Sequence, residues 1–148
     1  MLEMAIMCLA LNIYHEARGE PLNGQHAVAQ VTMNRAGRDP SRVCEVVFEP
    51  YQFSWANPLT TAPNLSVRKR LADRYMPKER KAWQMAKDIA QWTIKGYVPD
   101  FTNGATHYHA HSVNPWWAKK KKRLLTLGNH HFYRKASDRA GQGSKKWE

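Results

Sequence analysis

The feature that most restricts what this chain can become is the run "MAIMCLAL", Met4 to Leu11, which has no clean polar face and leads directly into "NIYHEARGEP". A helix that is apolar all round belongs inside a protein, with other elements packed around it. Gly19 and the pair Glu20–Pro21 end it, because the residue before a proline disfavours helical backbone. The pattern predicts a helix from about Leu2 to Arg18. Its last turn then carries His15, Glu16 and Arg18. A carboxylate at the end of a buried element is costly unless it is paired or used. The partial negative charge at a helix C-terminus and the apolar neighbours both disfavour its ionised form. Holding a proton near neutral pH is what a general acid must do. The structural alternative for Glu16 is an ion pair with Arg18 or Arg35.

The remaining chain supports one domain around one core, as expected for 148 residues. A second helix is read in "NGQHAVAQVTMNR", with Asn23 as N-cap and Ala27, Val28 and Val31 as its buried stripe. A short apolar piece follows at Val43 to Phe48. The segment from Pro50 to Pro63, "PYQFSWANPLTTAP", reads as a long loop, and such loops in compact domains are often functional. A third helix is expected from about Pro77 to Lys95, with Ala82, Ala86, Ile89 and Thr93 on one face. "ATHYHAHSV" alternates like a strand, and "NHHFYR" is a second short strand. No stretch is long enough to span a membrane. Glu3 is the sole charge ahead of the apolar run, so that run lacks the basic start of a signal peptide. Synthesis in a cytoplasm without an evident signal peptide is therefore expected. Cys8 and Cys44 fit no C-x-x-C metal pattern; they are read as buried free thiols, with a mutual disulfide as the alternative.

The formal net charge of +11 calls for an anionic partner: nucleic acid, an acidic membrane surface or a wall polymer. The basic run Lys119 to Arg123 reads most simply as a solvated face, and as an adhesive for anionic wall polymers in its functional version. Trp116 and Trp117 beside those lysines could stack bases, but no nucleic-acid module is recognisable, and nucleic acid is not expected as a partner. His107, His109 and His111 would share one face of a strand, and with His130 and His131 they could form a metal site. That would make the chain a metal-dependent hydrolase. No carboxylate or cysteine accompanies these histidines, so neither metal nor other cofactor is expected. The third alternative is a non-catalytic basic module that binds wall polymer or nucleic acid.

Four blocks, "ALNIYHEARGEPLNGQHAVAQVTMNR", "VCEVVFEPYQFSW", "GATHYHA" and "LGNHHFY", make the chain resemble the SleB-type cell-wall hydrolase family, whose best-known members are spore cortex-lytic enzymes. They occur in family order and cover most of Ala10 to Tyr133. The resemblance implies a lysozyme-like, lytic-transglycosylase-like single domain, mainly α (α+β) with a small β element. Residues 1–135 would form the catalytic domain and 136–148 a basic, flexible tail. It implies cleavage of the peptidoglycan glycan strand, between N-acetylmuramic acid and N-acetylglucosamine, with Glu16 as the acid. The substrate's own N-acetyl group or 6-hydroxyl can stand in for a second protein carboxylate. Glu20 is the nearest such carboxylate; it is carried as a second catalytic candidate, although holding the turn beside Arg18 is its simpler role. Asp100 is a more distant one. Tyr51, Gln52, Phe53 and Trp55 would offer the sugar flat faces and an amide, with core filling under the loop as the alternative for Phe53 and Trp55, and Thr106, His107 and Tyr108 would line the opposite wall. A monomer acting at the cell wall or periplasm is expected. The short length and the lack of a wall-binding repeat fit a phage or prophage lysin.

Overall fold

The computed structural model describes residues 2–50 and 52–135. Tyr51 and the expected tail at 136–148 lie outside the described residues. Helix α1 (Leu2–Ala17) is the central element, with Leu9, Ala10, Asn12 and Ile13 fully buried. Around it pack α2 (Leu22–Arg35), α3 (Val43–Val47) and α6 (Arg80–Ile94). The first turns of α1 are less enclosed than an all-apolar run implies, since Leu2, Met4 and Met7 are exposed. Single exposed apolar side chains are ordinary on a protein surface.

The stripe Ala27, Val28 and Val31 of α2 is buried as expected, against Ala17, Ala105 and Phe132. Asn23 does not cap α2. The helix begins one residue earlier, behind Pro21, and no side chain caps it. Between α3 and α6 lie α4 (Asn57–Thr60) and α5 (Leu65–Tyr75). The expected loop is thus partly helical, and α5 is a helix that the sequence reading lacks. None of its residues is fully buried; Val67, Leu71, Ala72 and Tyr75 recur along one half-buried face, a thin stripe that the sequence reading passes over.

The cysteines are joined: Cys8 and Cys44 form a disulfide that ties α1 to α3, with their Cα atoms 5.3 Å apart. The free-thiol reading is corrected by tertiary packing, which brings together two residues 36 positions apart.

Three antiparallel strands complete the fold: β1 (His107–Ala110), β2 (Lys122–Leu127) and β3 (His130–Arg134), in the order β1-β3-β2. The last strand in sequence is therefore the middle strand of the sheet. Tyr108 pairs with Phe132 and His109 with His131. A buried polar network holds the approach to β1. Asn34 donates to the Asp100 carboxylate (3.0 Å) and to the Ala105 carbonyl (2.9 Å). Asp100 also accepts from the Thr102 and Gly104 amides and from the Thr102 hydroxyl. Asp100 thereby holds the turn that leads into β1.

Candidate active site

The cleft that contains Glu16 has a volume of about 610 Å³, a size that suits a small oligosaccharide. The penultimate residue of α1, Glu16, meets Arg35 from the end of α2, Gln52 from the segment after α3, and His107, Tyr108 and His109 from β1. Glu16 is the one carboxylate among the described lining residues. Burial pushes its pKa up from 4.5 to about 7, against the smaller opposing effects of the Tyr108 hydroxyl and the Arg35 guanidinium. The cause expected from sequence, removal of the acid from water, is the dominant one. Near neutral pH a large fraction of Glu16 carries a proton it can give away.

Arg35 is buried and pushed down to about 10 by that burial, so it stays cationic at neutral pH. Its Nη2 donates to Gln52 Oε1, and its guanidinium lies over the Phe53 ring, 5.1 Å from the centroid. Tyr108 sits between the two apolar clusters of the core. Its hydroxyl faces Glu16 closely enough to act on the carboxyl, although the contact falls short of a fully formed hydrogen bond. Burial and the charge of Glu16 hold the phenol well above its ordinary pKa, so it remains a neutral donor.

Several expected site residues lie elsewhere. Glu20 is not in the cleft. Its carboxylate accepts from the Asn129 amide (2.7 Å) and side chain (3.2 Å) and pairs with His130 Nδ1 (3.0 Å). The helix stops ahead of Pro21, and the turn between β2 and β3 docks on that joint. Nor does Arg18 hold Glu20, since Arg18 pairs with Glu79 at 2.6 Å. Trp55 turns away from the cleft, stacks on His15 with centroids 4.4 Å apart, and donates to Asn12 Oδ1 (2.8 Å). It lines a separate apolar cavity of about 410 Å³ with Leu11, Phe48, Leu59 and Tyr75. Arg68 is the one charged group described there, so that cavity offers no acid chemistry. Phe53 is 3% exposed and serves the core, leaving at most an edge to the cleft. Thr106 is fully buried, bonded to His107 Nδ1 at 2.9 Å, and does not line the cleft. Gln52, His107 and Tyr108 do line it. Gln52 Oε1 is already held by Arg35, which leaves its amide NH₂ to face a ligand.

Sequence reasoning missed Trp116, Trp117 and His130 as lining residues. Trp116 is 70% exposed at the cleft, a flat face of the kind that the buried Phe53 cannot supply. The tryptophan pair is plain in the sequence, but beside four lysines it suggests base stacking before sugar stacking. The histidines divide. His130 turns to Glu20, while His131 lies between His109 and His111 with ring centroids 5.2 Å from each, and His109 also bonds Tyr133. Among the described residues no group of three or more His, Cys, Asp or Glu could hold a metal ion.

Residues 19–133 match the family model described as Cell Wall Hydrolase. The matched stretch begins just past Glu16. The chain is 30% identical over 132 residues to the spore cortex-lytic enzyme of Halalkalibacterium halodurans, covering 86% of this chain and 34% of that protein. It is 35% identical over 92 residues to the spore cortex-lytic enzyme of Bacillus subtilis, covering 57% of this chain and 30% of that one. The chain thus spans about a third of the length of these relatives. Among solved structures it is similar to the catalytic domain of the germination-specific lytic transglycosylase SleB from Bacillus anthracis. That match has a TM-score of 0.63 and 28% identity, covering 88% of this chain and 93% of that one. The Bacillus cereus SleB catalytic domain gives 0.62 and 30%, covering 89% and 91%.

Proposed function

Because the chain belongs to the cell wall hydrolase family, we propose that it cleaves the glycan strand of peptidoglycan, with Glu16 as the single acid. The carrying observation is a lone carboxyl in the cleft whose pKa burial has pushed up to about 7. Glu16 protonates the glycosidic oxygen as the bond to the sugar carbon breaks. Positive charge then develops at that carbon, and the carboxylate left behind is paired with it electrostatically. Arg35 and the neutral Tyr108 hydroxyl steady the carboxylate as it forms.

Two-carboxylate glycosidases set their second acid about 5–9.5 Å from the first. Here Glu20 is spent on Asn129 and His130, and Asp100 on the turn before β1. The sugar's own 6-hydroxyl therefore attacks the carbon, giving up its proton to the Glu16 carboxylate and closing a 1,6-anhydro ring. Atoms and protons balance without a water molecule, and Glu16 ends as it began. Gln52 and Trp116 grip the sugars on either side of the bond. The enzyme works as a monomer at the wall, and its cationic surface draws it to anionic wall polymers.

Purified walls incubated with the protein should lose turbidity and release fragments ending in 1,6-anhydro sugars by mass spectrometry. Fragments with free reducing ends in their place would give the attack to water. No fragments at all would refute glycan cleavage.

A further inference from the structure

We infer that a basic pocket beside the cleft is a subsite for a carboxylate on the peptide stem of the glycan strand. This rests on the reading of the cleft as a peptidoglycan site. The pocket has a volume of about 210 Å³ and is lined by Lys119, Lys121, Arg123, Tyr133, Asn114 and His109, with no acidic residue among the described lining residues. Phe101 to Lys135 carries seven Lys or Arg and not one Asp or Glu, so this whole wall of the protein is cationic by sequence.

The pocket and the cleft share His109, and the link between them is a hydrogen-bonded relay. His109 Nδ1 donates to the Ala110 carbonyl (2.8 Å), which leaves Nε2 to accept from the Tyr133 hydroxyl (2.8 Å). That hydroxyl in turn accepts from Arg123 Nε (3.2 Å) and Nη2 (3.0 Å). Arg123 is thereby fixed by a neutral partner, and among the described residues no carboxylate pairs with its guanidinium. Trp117 packs against His107, His109 and Tyr133 at 5.2, 5.7 and 5.3 Å and forms the ridge between the two depressions.

A glycan strand in the cleft carries its peptide on the lactyl ether of each muramic sugar. The stem leaves the sugar sideways and bears carboxylates along it and at its end. A stem crossing the Trp117 ridge arrives among Lys119, Lys121 and Arg123. A carboxylate there gains charge-assisted hydrogen bonds. The pocket thus selects peptide-bearing, free-acid strands over neutral ones, through binding and not through the chemical step.

The test uses soluble strands with free stem carboxyls, and the same strands with those carboxyls converted to amides. The natural protein should cleave the free-acid strands with about tenfold higher kcat/KM, the gain lying in KM. The double variant Lys119→Gln, Lys121→Gln should lose that preference to within about twofold, with turnover of amidated strands unchanged. Equal rates of the natural protein on both strands would overturn the subsite, as would an equal loss by the variant on both, which marks a structural role. An effect seen on whole walls but absent on soluble strands would also overturn it, in favour of general surface adhesion. If the natural protein cleaves neither strand, the glycan-cleaving reading itself falls, and the subsite with it.

Discussion

Replacing Glu16 by glutamine should destroy activity and, at alkaline pH, make the protein more stable. Folding moves the Glu16 pKa from 4.5 to about 7. A raised pKa on an acid means that the folded chain holds the proton more tightly than the unfolded one. Stability therefore falls as pH rises from about 4.5 to about 7, then levels off. Once ionised, the group costs about 3 kcal/mol, at about 1.4 kcal/mol for each tenfold of acidity. The glutamine amide resembles the protonated acid in size and carries no charge, so Glu16→Gln removes that cost. At pH 8 the variant should melt roughly 6–12 °C above the natural protein, given about 2–4 °C per kcal/mol for a chain of this size. At pH 4 the two should melt together. Activity on purified walls should drop about 100-fold or more. Calorimetry at the two pH values and a turbidity assay test both halves. A stability gain of equal size at pH 4 and pH 8 would refute the account of a buried carboxyl holding its proton. Lysis at a tenth of the natural rate would refute Glu16 as the acid.

In the natural protein, kcat/KM should fall about tenfold for each pH step above about 7, as the acid loses its proton. Tyr108→Phe removes a group that lowers the Glu16 pKa, so the alkaline limb of that profile should move to higher pH while turnover falls and the fold survives. An unmoved limb would mean that the hydroxyl does not act on Glu16. Gly128 has φ +54°, and a Cβ there would sit 2.7 Å from Pro21 Cδ and 2.8 Å from Glu20 Oε1. Gly128→Ala should thus cost about 1–3 kcal/mol in denaturant titration and reduce lysis by loosening the joint below Glu16. Reducing the Cys8–Cys44 bond, which links residues 36 positions apart, should cost about 4 kcal/mol and lower the melting temperature by roughly 10 °C. An unchanged melting curve with complete thiol titration would show that the bond adds nothing.

What could be read in the chain before its structure was known follows the physics of burial. The burial of the carboxyl at the end of α1 was legible because an apolar run that stops in a carboxylate must pair it, protonate it or use it. The stripe on α2 and the alternation of β1 were legible because each reports a face turned to the core. Helix α5 has only a thin half-buried stripe set among Arg68, Lys69, Arg70 and Arg74, and β2 opens on Lys122 and Arg123 within a basic run, so each left a faint trace. The strand pattern put His111 on one face with His109, and both rings do meet His131, although the strand itself ends at Ala110. Trp55 looked like a sugar platform because aromatic type alone does not tell a core ring from a cleft ring, whereas Phe53 packs in the core and still borders the cleft. The disulfide and the pairing of Arg35 with Gln52 depend on distances across the fold, which spacing along the chain does not measure.

The place of β3 between β1 and β2 sets the timing of the molecule's own assembly. Glu16 leaves the ribosome before Tyr108, and neither outer strand has a partner until residues 130–134 follow. The anchor for Glu20 at Asn129 arrives at the same late moment. A nascent chain stalled before Asn129 should show no amide protection in β1 by hydrogen exchange; protection there would contradict this order. A chain built this way makes Glu16 well before the strand that joins the opposite wall of its cleft, so that stretch of synthesis passes without an assembled cleft.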